Sequence, residues 1–157
     1  MPNFRLNAEP GKQDITITYE FNAPASRVFK AMTDPKLLEQ WWGPRIYTTV
    51  VDKLEPRAGG QWRFINRAAD GGEHGFHGVF HLVEPDKRIV QTFEYEGAPG
   101  HVSLESMTLE ERGGKTSLIA HSVFQSPEDR AGMMVDGGME AGARETYARL
   151  DELLERA

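Results

Sequence analysis

The sequence predicts an α+β domain in which one curved antiparallel sheet wraps around a long C-terminal helix. Three observations carry this. Between Asp14 and Pro44 the apolar period switches from two to about 3.6, and prolines mark the changes. From there to Phe124 the chain reads as one short strand after another, cut by Gly and Pro turns. Beyond Met139 the apolar residues recur at helical spacing. A sheet curled around a helix in this way encloses a cavity.

The elements follow in order. Ile15, Ile17, Tyr19 and Phe21 alternate in a first strand. After Ala23-Pro24 a short helix carries Val28, Phe29 and Met32, and a second follows Asp34-Pro35 with Leu37 and Leu38 and runs into Trp41-Trp42-Gly43-Pro44. Strands are then expected over Tyr47–Glu55, around Trp62 and Phe64, over Gly75–Val83, Arg88–Glu96, Val102–Glu110 and Thr116–Phe124. The turns between them are Gly59-Gly60, Asp70-Gly71-Gly72, Pro85-Asp86, Ala98-Pro99-Gly100 and Gly113-Gly114. This gives six or seven strands, a meander in its middle part. Ser126-Pro127-Glu128-Asp129 opens a short helix with a capping hydroxyl, a proline at the first position and two acids at the positive dipole end. Gly137-Gly138 breaks the pattern before the long helix, whose stripe of Met139, Ala143, Tyr147, Leu150 and Leu154 suits packing on a sheet. Residues 1–12 are expected to be a flexible lead-in and 13–157 a single domain.

The composition narrows the function. At 157 residues, 39% apolar and 27% charged, the chain is expected to be globular with one core. No apolar run approaches the ~18 residues of a membrane span, and no export signal is visible. With no cysteine there is neither disulfide nor thiol chemistry, and the expected location is the cytoplasm. A net charge of -6 with scattered Lys and Arg argues against nucleic-acid binding.

Several of these elements, in this order, resemble one family. They are Ala23-Pro24 with Val28-Phe29, Asp34-Pro35, Trp41-Trp42-Gly43-Pro44, Gly59-Gly60, and Gly78 ahead of Glu84-Pro85. To them add Ser126 to Arg130, Gly138-Met139-Glu140, Tyr147, Arg149-Leu150 and Leu153-Leu154. Over residues 13–155 the chain is similar to proteins of the heat-shock protein 90 ATPase activator type (C-terminal domain), within the START / birch-pollen-allergen (SRPBCC) superfamily. The resemblance implies a helix-grip fold. Its functional implication is broader: the superfamily includes lipid carriers, hormone receptors, polyketide cyclases and resistance proteins, and the eukaryotic activator relies on a further N-terminal domain. Fold alone does not fix function.

Conventional chemistry is not visible. His77 and His81 would stand about 13 Å apart on a strand rising ~3.3 Å per residue, too far to share an ion, and their parity is opposite to that of Phe76, Phe80 and Leu82. His74 lies on the other parity near a turn, and His121 is expected to face outward, as is Arg63. No metal site or cofactor is expected. No nucleophile elbow or Ser-His-Asp arrangement stands out, and the paired glycines sit in hairpins rather than between a strand and a helix.

The inward face remains. Trp42, Trp62, Phe64, Phe76, Phe80, Phe93, Tyr95, Met107, Met133 and Met139 are the candidate lining, with Gln91 and Glu105 to orient a ligand. Glu105 shares parity with Met107 and Leu109; the opposite parity would bring Val102, Leu104 and Ser106 inside and leave Glu105 in water. An inward carboxyl would have a raised pKa and is the one candidate catalytic group. His101 follows Pro99-Gly100 at a strand start beside the expected cavity rim. The leading expectation is a protein that binds a small hydrophobic molecule. The alternatives are an enzyme of the cyclase, dehydratase or hydrolase kind, and a chaperone-associated interaction module. A homodimer stays open.

Overall fold

The computed structural model describes residues 3–156. Its chain runs through β1 (Phe4–Asn7), β2 (Asp14–Phe21), α1 (Ala25–Thr33), α2 (Pro35–Trp41), β3 (Tyr47–Leu54), β4 (Gln61–Ala68), β5 (Glu73–Glu84) and β6 (Arg88–Tyr95). It continues through β7 (Val102–Arg112), β8 (Lys115–Val123), α3 (Pro127–Met133), a 3-10 turn over Val135–Gly137, and α4 (Gly138–Arg156). All eight strands join one antiparallel sheet in the order β1-β2-β8-β7-β6-β5-β4-β3. β3 to β8 therefore form a continuous meander, and β2 closes against β8. This is the helix-grip α+β fold expected above, with one strand more than the expected six or seven. The addition is β1, inside the segment read as a lead-in, where Phe4 is buried.

Local chemistry explains the helix boundaries. The Asp34 carboxylate accepts from the backbone N–H of Lys36 and Leu37, capping α2 behind Pro35. The Ser126 hydroxyl accepts from Asp129 N–H and starts α3 in the same way. No helix among the described residues is long and apolar enough to cross a membrane.

Two bulges reset side-chain parity. In β5 the register shifts between Phe80 and Leu82, so Val83 packs on the core where alternation alone places Leu82. A second shift, between Val51 and Lys53, bends β3.

α4 lies across the sheet and is tied to it at several points. Tyr19 donates to Asp151 at 2.9 Å, and burial with this bond pushes the phenol up to about 12. Arg149 donates to the carbonyls of Gly43 and Gln40 at 2.7 and 2.9 Å, fixing the α2–β3 turn against α4. Arg45 pairs with Glu152 nearby. Leu150 and Leu154 fill the core beneath the helix.

Candidate functional site

A cavity of about 330 Å³ lies between the concave face of the sheet and α4. Strand register determines its walls. β4 turns Trp62, Phe64 and Asn66 inward, β5 Phe76 and Phe80, and β6 Ile89, Gln91 and Phe93. Trp42 enters from the end of α2, and Met139, Ala143, Thr146 and Tyr147 come from α4.

The aromatic side chains form one connected wall. Trp42 lies edge-on to Trp62, Phe64 and Phe76, with centroids 6.4, 5.0 and 5.3 Å away, and Phe76 lies 5.6 Å from Phe93. Gly78 makes this wall possible. It stands opposite Trp62 in the β4–β5 register, so the indole passes over β5 and its Nε1–H donates to the Thr92 carbonyl on β6 at 3.2 Å. A Cβ at Gly78 would come within 1.9 Å of that carbonyl and 2.6 Å of Nε1.

A polar row crosses this apolar surface. Gln91 on β6 stands opposite Glu105 on β7, and Glu105 opposite Ser122 on β8. The adjoining row, Ile89, Met107 and Ala120, is apolar. Gln91 Nε2 donates to Glu105 Oε1 at 3.0 Å. β7 thus turns Glu105 inward with Met107 and Leu109, and Leu104 is left 45% exposed on the other face.

Glu105 keeps some accessible surface because it borders the cavity, but protein surrounds it. Burial pushes its carboxyl up to about 7, and the bond from Gln91 pulls the other way. Near neutral pH the group can therefore present either an O–H donor or a carboxylate. The Tyr147 phenol is pushed up by burial first and by Glu105 second, so it remains a neutral hydroxyl. It makes no hydrogen bond to protein among the described residues. At another part of the wall, the Thr49 hydroxyl donates to the Trp42 carbonyl and stands 2.9 Å from the Asn66 side-chain amide. Gly43, with φ +88°, packs on that amide so closely that a Cβ would lie 2.9 Å from Oδ1.

Of the residues singled out from the sequence, Trp42, Trp62, Phe64, Phe76, Phe80, Gln91, Phe93, Glu105, Met107 and Met139 border this cavity. Tyr95 and Met133 do not. They border a second cavity, of about 360 Å³, beneath α3. Asn66, Ser122, Thr146 and the Tyr147 hydroxyl were missed as polar lining. Ser122 shares parity with Leu118 and Ala120, and Asn66 with Trp62 and Phe64, so that signal was present.

The histidines lie elsewhere. His81 is exposed, and His77 contacts Glu96 and Glu94 at 2.8 and 3.2 Å on the outer face. Arg63 also reaches Glu96 there, and this bond more than any other holds the Glu96 carboxyl down at about 2. His121 bonds Asp14, His74 bonds the Tyr95 hydroxyl, and His101 bonds Asp129, each at 2.9 Å.

A curled antiparallel sheet gripping a C-terminal helix over a lined cavity defines the START-like, helix-grip class. Within it, the profile of the family described as activator of Hsp90 ATPase homolog 1-like protein matches residues 22–155, and the chain belongs to that family. Such a fold is in general that of a ligand-binding or chaperone-associated domain. Among solved structures, a Rhodobacter sphaeroides protein is similar with a TM-score of 0.89 and 24% identity, covering 99% of each chain. A protein from Arthrobacter aurescens gives 0.88 and 26% over 98% of this chain and 92% of its own. Protein Ms6760 of Mycobacterium smegmatis gives 0.84 and 24% over 96% and 95%. Among curated proteins none matches.

Proposed function

We propose that this protein binds a small, mostly apolar molecule in the cavity between the sheet and α4. The supporting observation is the Gln91–Glu105 pair set in an aromatic wall. The rings supply area for an apolar body, and the polar row supplies the directional contacts that orient it. A carboxyl that is protonated below about 7 can donate to a ligand carbonyl, and above that it accepts from a hydroxyl. Flat aromatic or polyketide-like molecules suit these walls better than flexible chains, because ring-on-ring packing is available on several sides.

Native mass spectrometry of gently purified protein, followed by denaturing extraction, tests this reading. A stoichiometric apolar compound is expected, and Phe93→Ala should weaken its binding by roughly tenfold or more through lost contact area. Equal affinity in Phe93→Ala would remove Phe93 from the site. Apo protein that also takes up no aromatic probe would overturn the reading.

One observation favours a second reading. A cavity carboxyl with a pKa near neutrality is suited to general acid–base work, so the ligand would be a substrate for cyclisation, dehydration or hydrolysis. Wild-type turnover of that compound by Glu105→Gln would exclude Glu105 as the catalytic group. The chaperone-associated alternative that belongs to the family makes a different forecast: direct binding of a heat-shock protein 90 homologue, insensitive to Phe93→Ala.

A further inference from the structure

The cavity beneath α3 is built like the first one. Phe93 is a wall of both. Ser103, the register partner of Phe93, lies two residues before Glu105 on the same face of β7, about 7 Å along the strand. It is 3% exposed, and its hydroxyl has no hydrogen-bond partner among the described residues. It borders this cavity, where α3 contributes Gly132 and Met133 as cover. His101 stands at the same cavity with Nδ1 2.9 Å from Asp129 Oδ1. When Nδ1–H donates to that carboxylate, Nε2 remains as an acceptor. The Ser103 hydroxyl keeps its accessible surface at this cavity, so a ligand hydroxyl or carbonyl there can pair with it.

We infer that the two cavities are two halves of one ligand site divided by the Phe93 ring. The ligand is then an elongated aromatic molecule with a hydroxyl or carbonyl at each end. One end meets the Gln91–Glu105–Ser122 row, and the other meets Ser103 and His101. Each half, at about 330 and 360 Å³, lies near the lower limit for small-molecule sites, and a ligand occupying both gains area without a new fold feature. Joining them requires the Phe93 ring to leave Trp62 and Phe76, whose centroids lie 5.9 and 5.6 Å away, for another staggered rotamer. This inference rests on the proposed binding role of the first cavity.

Two probes separate the halves: 2-naphthol, sized for the first, and 6-(4-hydroxyphenyl)-2-naphthol, which extends it by a second hydroxylated ring. In protein carrying 13C-methyl methionine, 2-naphthol should shift Met107 and Met139 and leave Met133 unmoved. The longer probe should shift all three and bind at least about tenfold more tightly. Ser103→Ala should weaken the longer probe about five- to tenfold through loss of one hydrogen bond, with 2-naphthol unchanged. Ser103→Leu, which fills the second half, should remove the gain from the longer probe, and unchanged 2-naphthol affinity reports that the variant is folded. The inference is overturned if 2-naphthol binds as expected but the longer probe leaves Met133 unshifted and ignores both variants. It also falls if Ser103→Ala weakens both probes equally. Failure of 2-naphthol itself to bind would instead sink the reading of the first cavity.

Discussion

Glu105 is the residue on which the chemistry of the site turns. A carboxyl among aromatic rings loses its hydration, so its charged form is disfavoured, and the single bond from Gln91 offsets only part of that. In the unfolded chain the same group ionises near 4.5, and in the fold near 7. Folding therefore takes up a proton between these values. The contribution of Glu105 to stability is fully present below about 4.5 and is lost as pH rises through 7, a swing of up to about 3 kcal/mol. Glu105→Gln lacks it. Urea unfolding from pH 4.5 to 8 should show wild type losing ~3 kcal/mol relative to this variant, and parallel pH profiles would mean that Glu105 titrates normally. The sequence left its direction open because both parities of β7 offered apolar partners. Leu104 proved to be the outward one, beside a row that only the pairing of three strands reveals.

At the scale of elements, Gly78 links strand pairing to the shape of the wall. The absence of its side chain lets Trp62 cross β5, and Thr92 in turn holds Val79 N–H through its own hydroxyl at 2.9 Å. Gly78→Val should push the indole out and break both contacts. The expected loss is about 2–4 kcal/mol of stability by urea titration, together with a red-shifted tryptophan emission. A variant within 0.5 kcal/mol of wild type, roughly the range of neutral surface changes, would show that the wall adapts. Most element boundaries were legible because prolines and paired glycines punctuate them: α2 begins at Pro35, α3 at Pro127, and α4 at the second glycine of Gly137-Gly138. The bulge near His81 was not, because an extra residue in one strand leaves no mark on composition, and it carried Leu82 off the inner face. β1 escaped because Phe4 and Leu6 alternate over only four residues.

At the scale of the molecule, the cavity exists because α4 is held away from part of the sheet as well as against it. Leu150 and Leu154 pack into the core at one end, while Arg149 grips the α2–β3 turn through the carbonyls of Gly43 and Gln40. Toward its N-terminal end, Met139, Ala143 and Tyr147 roof the space instead of filling it. The sequence showed the stripe but not this division of labour, since spacing alone does not distinguish packing from roofing. It also merged the two cavities, assigning Tyr95 and Met133 to the same lining as Phe76. Separation depends on where the short α3 settles relative to Phe93.

The most direct test of the central claim is a titration of 13C-methyl-methionine protein with 2-naphthol, followed by magnetisation transfer between the naphthol ring and the methionine methyls. A ligand seated in the first cavity gives saturable shifts and direct contacts at Met107 and Met139, which border it on opposite sides. Saturable binding without contact at either methyl, or no binding at all, would contradict the claim.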